Sequence, residues 1–254
     1  MQDYNNISIV TGTLNRSEYL ENLILNTVES DERLELVLVD GGSTDGTIEF
    51  IETFINHPRI KFIKYGERSS YPHYMNLGVS HASHELICQW NDDVIMTNHG
   101  GWQRVFDAID DEHDAYLFNW KEGSLVDAVD SNWLKCEQMR DNGWIICNNI
   151  DYKYPQMSGE RQGEIVMNYG IYKKDVFRKY GLYNSNYGYY CADGEMAMRA
   201  RYQGCKFKTL IDAKVCVLPA EKRAIMHNED IQRYNEDYAR YINNQFEQEY
   251  EYLK

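Results

Sequence analysis

Asp92 and Asp93 stand side by side in Trp90-Asn91-Asp92-Asp93, directly after the run Leu86-Ile87-Cys88-Gln89. A short apolar run of that kind reads as a buried strand. The acids then lie on a turn at its carboxyl end, where open α/β sheets hold their ligands. Adjacent carboxylates are costly to keep charged unless a cation binds them. A hydrated divalent cation clamped to a diphosphate is the natural guest. Taken alone, an acidic turn is usually a solvated loop, so the weight falls on what surrounds it.

The elements that must position this turn are legible on both sides of it. Leu34-Glu35-Leu36-Val37-Leu38-Val39 is a buried-strand run ending in Asp40-Gly41-Gly42-Ser43-Thr44-Asp45-Gly46, a turn-forming stretch that opens a helix over 47–54. Ile7-Ser8-Ile9-Val10 runs into Thr11-Gly12-Thr13-Leu14-Asn15-Arg16, then into a helix with Leu20, Leu23, Ile24 and Val28 on one face. Three strands therefore end in polar, turn-rich loops on one edge of a sheet. Further along, the pattern predicts strands over 60–65, 85–90 and 115–120 and helices over 71–82 and 101–109. Between 121 and 162 no period can be read. A strand over 165–172, a short helix closed by Gly181, and late strands over 206–211 and 215–218 follow. The polar, Tyr-rich segment from Asn228 reads as a surface helix with a charged solvent face.

These residues resemble an ordered signature. Ile7-Ser8-Ile9-Val10 with Asn15-Arg16, Val39-Asp40-Gly41-Gly42-Ser43-Thr44-Asp45-Gly46-Thr47, Asn76-Leu77-Gly78 with Ala82, and Asn91-Asp92-Asp93 look like the family-two glycosyltransferases in order, spacing and strand context. Ala192-Asp193-Gly194-Glu195-Met196-Ala197-Met198-Arg199-Ala200 is similar to the family's acidic motif at the start of a helix. The resemblance implies an α/β fold of the GT-A type, a Rossmann-like mixed sheet flanked by helices in a single domain over 1–222. Residues 1–98 would form its nucleotide-sugar half and 99–222 its acceptor half, with 223–254 a polar helical tail.

It also implies an activity: inverting transfer of a sugar from a nucleoside-diphosphate sugar to an acceptor hydroxyl on a carbohydrate or glycoconjugate. That reaction must stabilise charge on the departing phosphate and take a proton from the acceptor. By resemblance Asp93 is the metal ligand, for Mn2+ or Mg2+, and Asp92 or Asn91 the ribose contact. Asp40 would be the nucleobase partner, with Thr11, Gly12 and Thr13 walling the base. His227 resembles a late histidine that reaches the metal or the diphosphate, although a lone histidine is commonly structural. Asp193 is the expected base, with Glu195 the alternative; either could merely complement a helix dipole.

Several positions depart from the family pattern. Asn91 replaces the first acid of the Asp-x-Asp spacing, Leu14 stands where Tyr is frequent, Met75 where Arg precedes Asn76, and Ala192 where Glu precedes Asp193. Two other function classes stay open. A sugar-phosphate nucleotidylyltransferase would need a basic, glycine-rich loop after Val10, which is absent, and a silent nucleotide-sugar-binding protein would have no use for Asp193.

A net charge of -14 over 254 residues argues against nucleic acid and anionic membranes as partners. The six cysteines lack paired ligand spacing and read as reduced, buried residues. No apolar run reaches membrane-spanning length, and a cytoplasmic enzyme is the expectation. Of the 21 Tyr and 5 Trp, the rings from Tyr183 to Tyr190, then Trp120 and Trp133, are the candidates for stacking on a sugar.

Overall fold

Alternation along the strands sorts the sequence into two cores. In β1 (Ile7–Thr13), Ile7 and Ile9 face one layer and Val10 the other. In β2 (Leu34–Asp40), Leu34, Leu36 and Leu38 oppose Val37, and in β4 (Leu86–Gln89) Leu86 and Cys88 oppose Ile87. Successive side chains of a strand point to opposite faces. Both faces here are covered by helices, so the runs are apolar throughout. The computed structural model describes residues 4–97, 100–122, 167–218, 228–246 and 250–254.

Eight described strands form one mixed sheet in the order β3-β2-β1-β4-β7-β6-β8-β5. Strand β3 is Ile60–Lys64, β5 Val94–Met96, β6 Ala115–Glu122, β7 Gly170–Lys173 and β8 Phe207–Val217. The first four in the order pair parallel; β7 runs antiparallel between β4 and β6. On one face lie α1 (Ser17–Asn26), α2 (Thr47–Glu52) and α4 (Gly101–Ala108). On the other lie α3 (Tyr71–His81), α5 (Lys174–Tyr180), α6 (Ala192–Tyr202) and α7 (Asn228–Tyr241). This is the expected α/β architecture of the GT-A type.

Three local readings are revised. The late strands expected over 206–211 and 215–218 are one strand, β8, whose register against β6 jumps where Leu210 and Lys214 face Phe118 and Asn119. The residues between are a bulge, and Asn119 Nδ2 donates to the Ile211 carbonyl at 3.0 Å to hold it. The strand expected from 165 is described only from Gly170, where a Cβ would strike the Tyr116 carbonyl. Strand β5 was not expected at all: its three residues are too short to show a period, and only pairing with β8 defines it.

The segment from Asn228 does form a helix, but its buried face is polar. Asp230, Tyr234, Asp237 and Tyr241 recur at helical spacing and pack toward α6. Among the described residues no helix is long and apolar enough to cross a membrane. Cys88, Cys191, Cys205 and Cys216 form no disulfide with one another, and all but the half-buried Cys191 are buried as expected, while Cys136, Cys147, His227 and Trp133 lie outside the described residues.

Helix α3 packs flush on β1 because Gly78 has no side chain; a Cβ there would collide with Val10 Cγ1. Gly78→Val should therefore destabilise the fold by about 1–3 kcal/mol, as overpacking does, despite valine's better helix propensity. Urea unfolding monitored by tryptophan fluorescence measures it.

Candidate functional site

The register of the parallel strands brings the predicted residues to one edge. Thr13 pairs with Asp40 across β1 and β2, and Val10 with Gln89 across β1 and β4. The loop after β1 is stitched to the loop after β2: Asn15, at φ 54, accepts the Thr44 N–H on its side chain at 2.7 Å, and the Arg16 N–H donates to Thr47 Oγ1. Asp40 is fully buried and closes the Gly-Gly turn, accepting the N–H groups of Gly42 at 2.8 Å and Ser43 at 3.1 Å. Gly42, at φ 88, occupies a conformation that favours glycine.

Thr11, Gly12 and Thr13 take three different positions. Thr11 is buried; Gly12 lies against the Tyr74 ring, as does Gly41; and the Thr13 hydroxyl turns to the acids, donating to Asp92 Oδ2 at 2.9 Å. Tyr74 is held there by the Ser69 N–H, which donates to its hydroxyl at 2.5 Å. Sequence reading gave Tyr74 no part, and Leu14 in the usual aromatic position drew attention to stacking as a loss.

The acidic pair is joined by Arg16, the cation of the Asn15-Arg16 motif after β1. Arg16 Nη2 donates to Asp92 Oδ1 at 3.1 Å and to Asp93 Oδ2 at 2.7 Å, so one nitrogen bridges both carboxylates. The guanidinium lies 4.2 Å over the Tyr19 ring, held by stacking as well as charge. Burial pushes the Asp92 carboxyl up to about 6, against the opposing pull of Arg16. Asn91 points elsewhere, its amide donating to the Tyr169 hydroxyl at 3.1 Å. Arg16 is the cation in the loop after β1, and that was the available signal.

Asp193 reaches the same region from the far end of the chain. It sits in the first turn of α6, after Cys191 at φ 64, and its Oδ1 accepts the Gly194 N–H at 2.8 Å. A side-chain relay connects the two halves. Asn76 clamps the Tyr183 backbone with two bonds of 2.9 Å, and the Tyr183 hydroxyl donates to Gln89 Oε1 at 2.5 Å, one residue before Trp90. The Tyr183 phenol is pushed well up by burial and by the Asp193 charge beside it. Burial likewise raises Asp193 to about 6, with backbone N–H groups opposing.

Glu195, two residues on, faces the other way. It is fully buried and ion-paired with Arg199 at 2.8 Å, and it accepts from the Tyr241 hydroxyl. Arg199 also donates to the carbonyls of Tyr180 and Leu182. The loop before α6 is held by Asp230, which accepts the N–H groups of Gly188, Tyr189 and Tyr190 at 2.9–3.0 Å. Of the stacking candidates, Tyr183, Tyr187 and Trp120 are buried, which leaves Tyr189 and Tyr190, both half-buried.

Replacing Glu195 by Gln strands the Arg199 charge in the core, so this variant should lose about 3–5 kcal/mol of stability. Thermal unfolding checks it, and a loss under 1 kcal/mol would show that the pair is solvated.

The fold is found in solved structures. The mannosyltransferase PcManGT from Pyrobaculum calidifontis, in complex with GDP-Man and Mn2+, superposes with a TM-score of 0.65 at 17% identity, covering 95% of this chain and 65% of that one. S. aureus TarS 1-349 in complex with UDP gives 0.67 at 17% identity, covering 96% and 67%. Its UDP-GlcNAc complex gives 0.64 at 18% identity, covering 96% and 68%. The chain thus spans about two thirds of these proteins, and the likeness is one of fold. No curated protein matches it in sequence. The model of glycosyl transferase family 2 matches residues 8–181, a span that holds most of β1, Asp40, Asn76 and the acidic turn. With most of the chain inside that match and the fold in agreement, this chain belongs to glycosyl transferase family 2.

Proposed function

We propose that the enzyme moves a sugar from a nucleoside-diphosphate donor to an acceptor hydroxyl with inversion, aided by a divalent cation, and that Asp193 is the base. The observation that carries this reading is the contrast between the two acids of α6. Glu195 is consumed by Arg199 and Tyr241, whereas no cation among the described residues pairs with Asp193. Asp193 keeps an oxygen for a proton and has a basicity suited to taking one near neutral pH. Tyr71, Tyr172 and Tyr183 surround it with uncharged phenols.

A divalent cation fits the acidic turn, because Arg16 Nη2 already marks a point where Asp92 and Asp93 converge on one positive charge. Asp93 would hold the ion beside the donor phosphates, and the ion would supply positive charge to the leaving diphosphate. His227 is the further ligand implied by resemblance. Asp40, at the end of β2, reads the nucleobase, and Tyr74 lines the same pocket over Gly12 and Gly41. The acceptor enters beside Tyr189 and Tyr190, on a loop that Asp230 makes rigid.

Asp193→Asn should bind donor normally and lose at least about a hundredfold in transfer rate. Because the folded-state pKa of Asp193 is raised, its charge weakens the fold as pH rises from the unfolded value through about 6. The variant should therefore melt higher than wild type at pH 7, while Glu195→Gln melts lower yet transfers normally per folded molecule. In the wild type, transfer should decline as pH falls below about 6. Wild-type rates in Asp193→Asn, or a fall in its Tm, would remove the residue from this role.

Metal use is tested separately. UDP and GDP binding by calorimetry should weaken by about tenfold or more when EDTA replaces Mn2+, and Asp93→Ala should abolish the difference. Equal affinity in both conditions would exclude a metal contribution to donor binding.

A further inference from the structure

Asn91 leaves the acidic turn with two carboxylates where the motif spacing usually provides a third, and both of these contact the same guanidinium nitrogen. Among the described residues, no three His, Cys, Asp or Glu side chains are grouped to hold a metal ion. We propose that Arg16 is a resident counter-cation: it holds the metal's place between Asp92 and Asp93 and yields it only as the donor diphosphate arrives, so that cation and nucleotide load together. This rests on the metal-assisted reading of the site above.

The argument is one of charge. Among the described residues, two carboxylates and one guanidinium give the turn a net charge of minus one. A divalent ion arriving alone would meet Arg16 at contact distance in a half-buried site, with just two carboxylates to offset three positive charges. Like charges at such separations repel by several kcal/mol in a partly buried setting. A diphosphate arriving alone would add to an already negative turn. When both arrive, the ion and the two diphosphate charges cancel and the net charge of minus one returns. The diphosphate also supplies oxygen ligands beyond the two carboxylates of the described residues, as Mg2+ and Mn2+ sites commonly require.

Arg16 is placed for such an exchange. It begins α1 beside the loop after β2, its ring partner Tyr19 lies on the same helix, and Thr13 keeps Asp92 in position independently. The planar fork of the guanidinium suits carboxylate and phosphate alike. Thermodynamic reciprocity then requires nucleotide to raise metal affinity by the same factor as metal raises nucleotide affinity.

Mn2+ binding is read directly by electron paramagnetic resonance of the free ion, without turnover. On the full chain, Mn2+ alone should bind at least about tenfold more weakly than Mn2+ with UDP or GDP. In Arg16→Met, Mn2+ alone should tighten by about tenfold, and the nucleotide should enhance metal binding less than in wild type. Arg16→Lys, which keeps the charge, should behave like wild type, and Tyr19→Leu, which removes the platform, should lie between. Wild type binding Mn2+ equally well with and without nucleotide, or Arg16→Met gaining no affinity, would overturn the proposal. If Arg16→Met fails to fold, the wild-type comparison and Tyr19→Leu decide it alone. Failure of UDP and GDP to bind under any condition would instead overturn the donor reading, and this inference with it. Nucleotide binding that is tight but indifferent to Mn2+ would reject the metal and keep the donor.

Discussion

The parallel pairing of β1 with β2 on one side and β4 on the other is the constraint on which the site depends. Because Thr13 lies opposite Asp40 and Val10 opposite Gln89, three loops leave the sheet together and Arg16 of the first meets Asp92 and Asp93 of the third. A shift of one residue would turn every side chain of a strand to the opposite face. The two-sided core forbids that, since Ile9, Leu36 and Cys88 belong to one layer while Val10, Val37 and Ile87 belong to the other. Gly78 contributes by letting α3 lie directly on β1, which puts Asn76 and Tyr74 at the same edge.

The buried carboxylates differ in the partners that answer them. Glu35 accepts from the hydroxyls of Ser8 and Ser83 and from the Ser83 N–H; Asp230 takes three backbone N–H groups; Glu195 is paired with Arg199. Such groups hold elements together, since a buried charge is tolerated where its bonds are complete. Asp193 accepts a backbone N–H in its own turn, while Asp92 and Asp93 share one Arg16 nitrogen and Asp92 also takes the Thr13 hydroxyl.

The loop before α6 is held by segments far apart in sequence. Asp230 and Asp237 on α7 hold the backbone and the Tyr187 hydroxyl of the loop that leads to Asp193. Tyr71 and Tyr189 tie that loop to the segment after β3: the Tyr71 N–H donates to the Gly188 carbonyl and the Tyr189 hydroxyl to the Ser69 carbonyl. The segment leading to α6 is therefore joined to α3 and β4 through Asn76, Tyr183 and Gln89, and not only through the sheet.

The sequence by itself determined the alternating α and β elements of the first half, the strand-end location of Asp40 and Asp92-Asp93, and Asp193 at a helix start. These are local: hydrophobic period, turn-forming residues and a short motif each act over a few positions. What only the tertiary structure decided involves residues that meet across the chain. It put Arg16 between the two acids, Tyr74 over Gly12 and Gly41, and Asn76 on the Tyr183 backbone. It also separated Asp193 from Glu195, which share a helix turn and look alike until Arg199 and Tyr241 are seen to occupy one of them. The stripe of Asp230, Tyr234, Asp237 and Tyr241 was read as solvated because its residue types are polar, and polarity in sequence carries no record of a partner. Burial of those groups became favourable once the loop before α6 and the Glu195 carboxylate stood opposite them, an arrangement no local pattern can express.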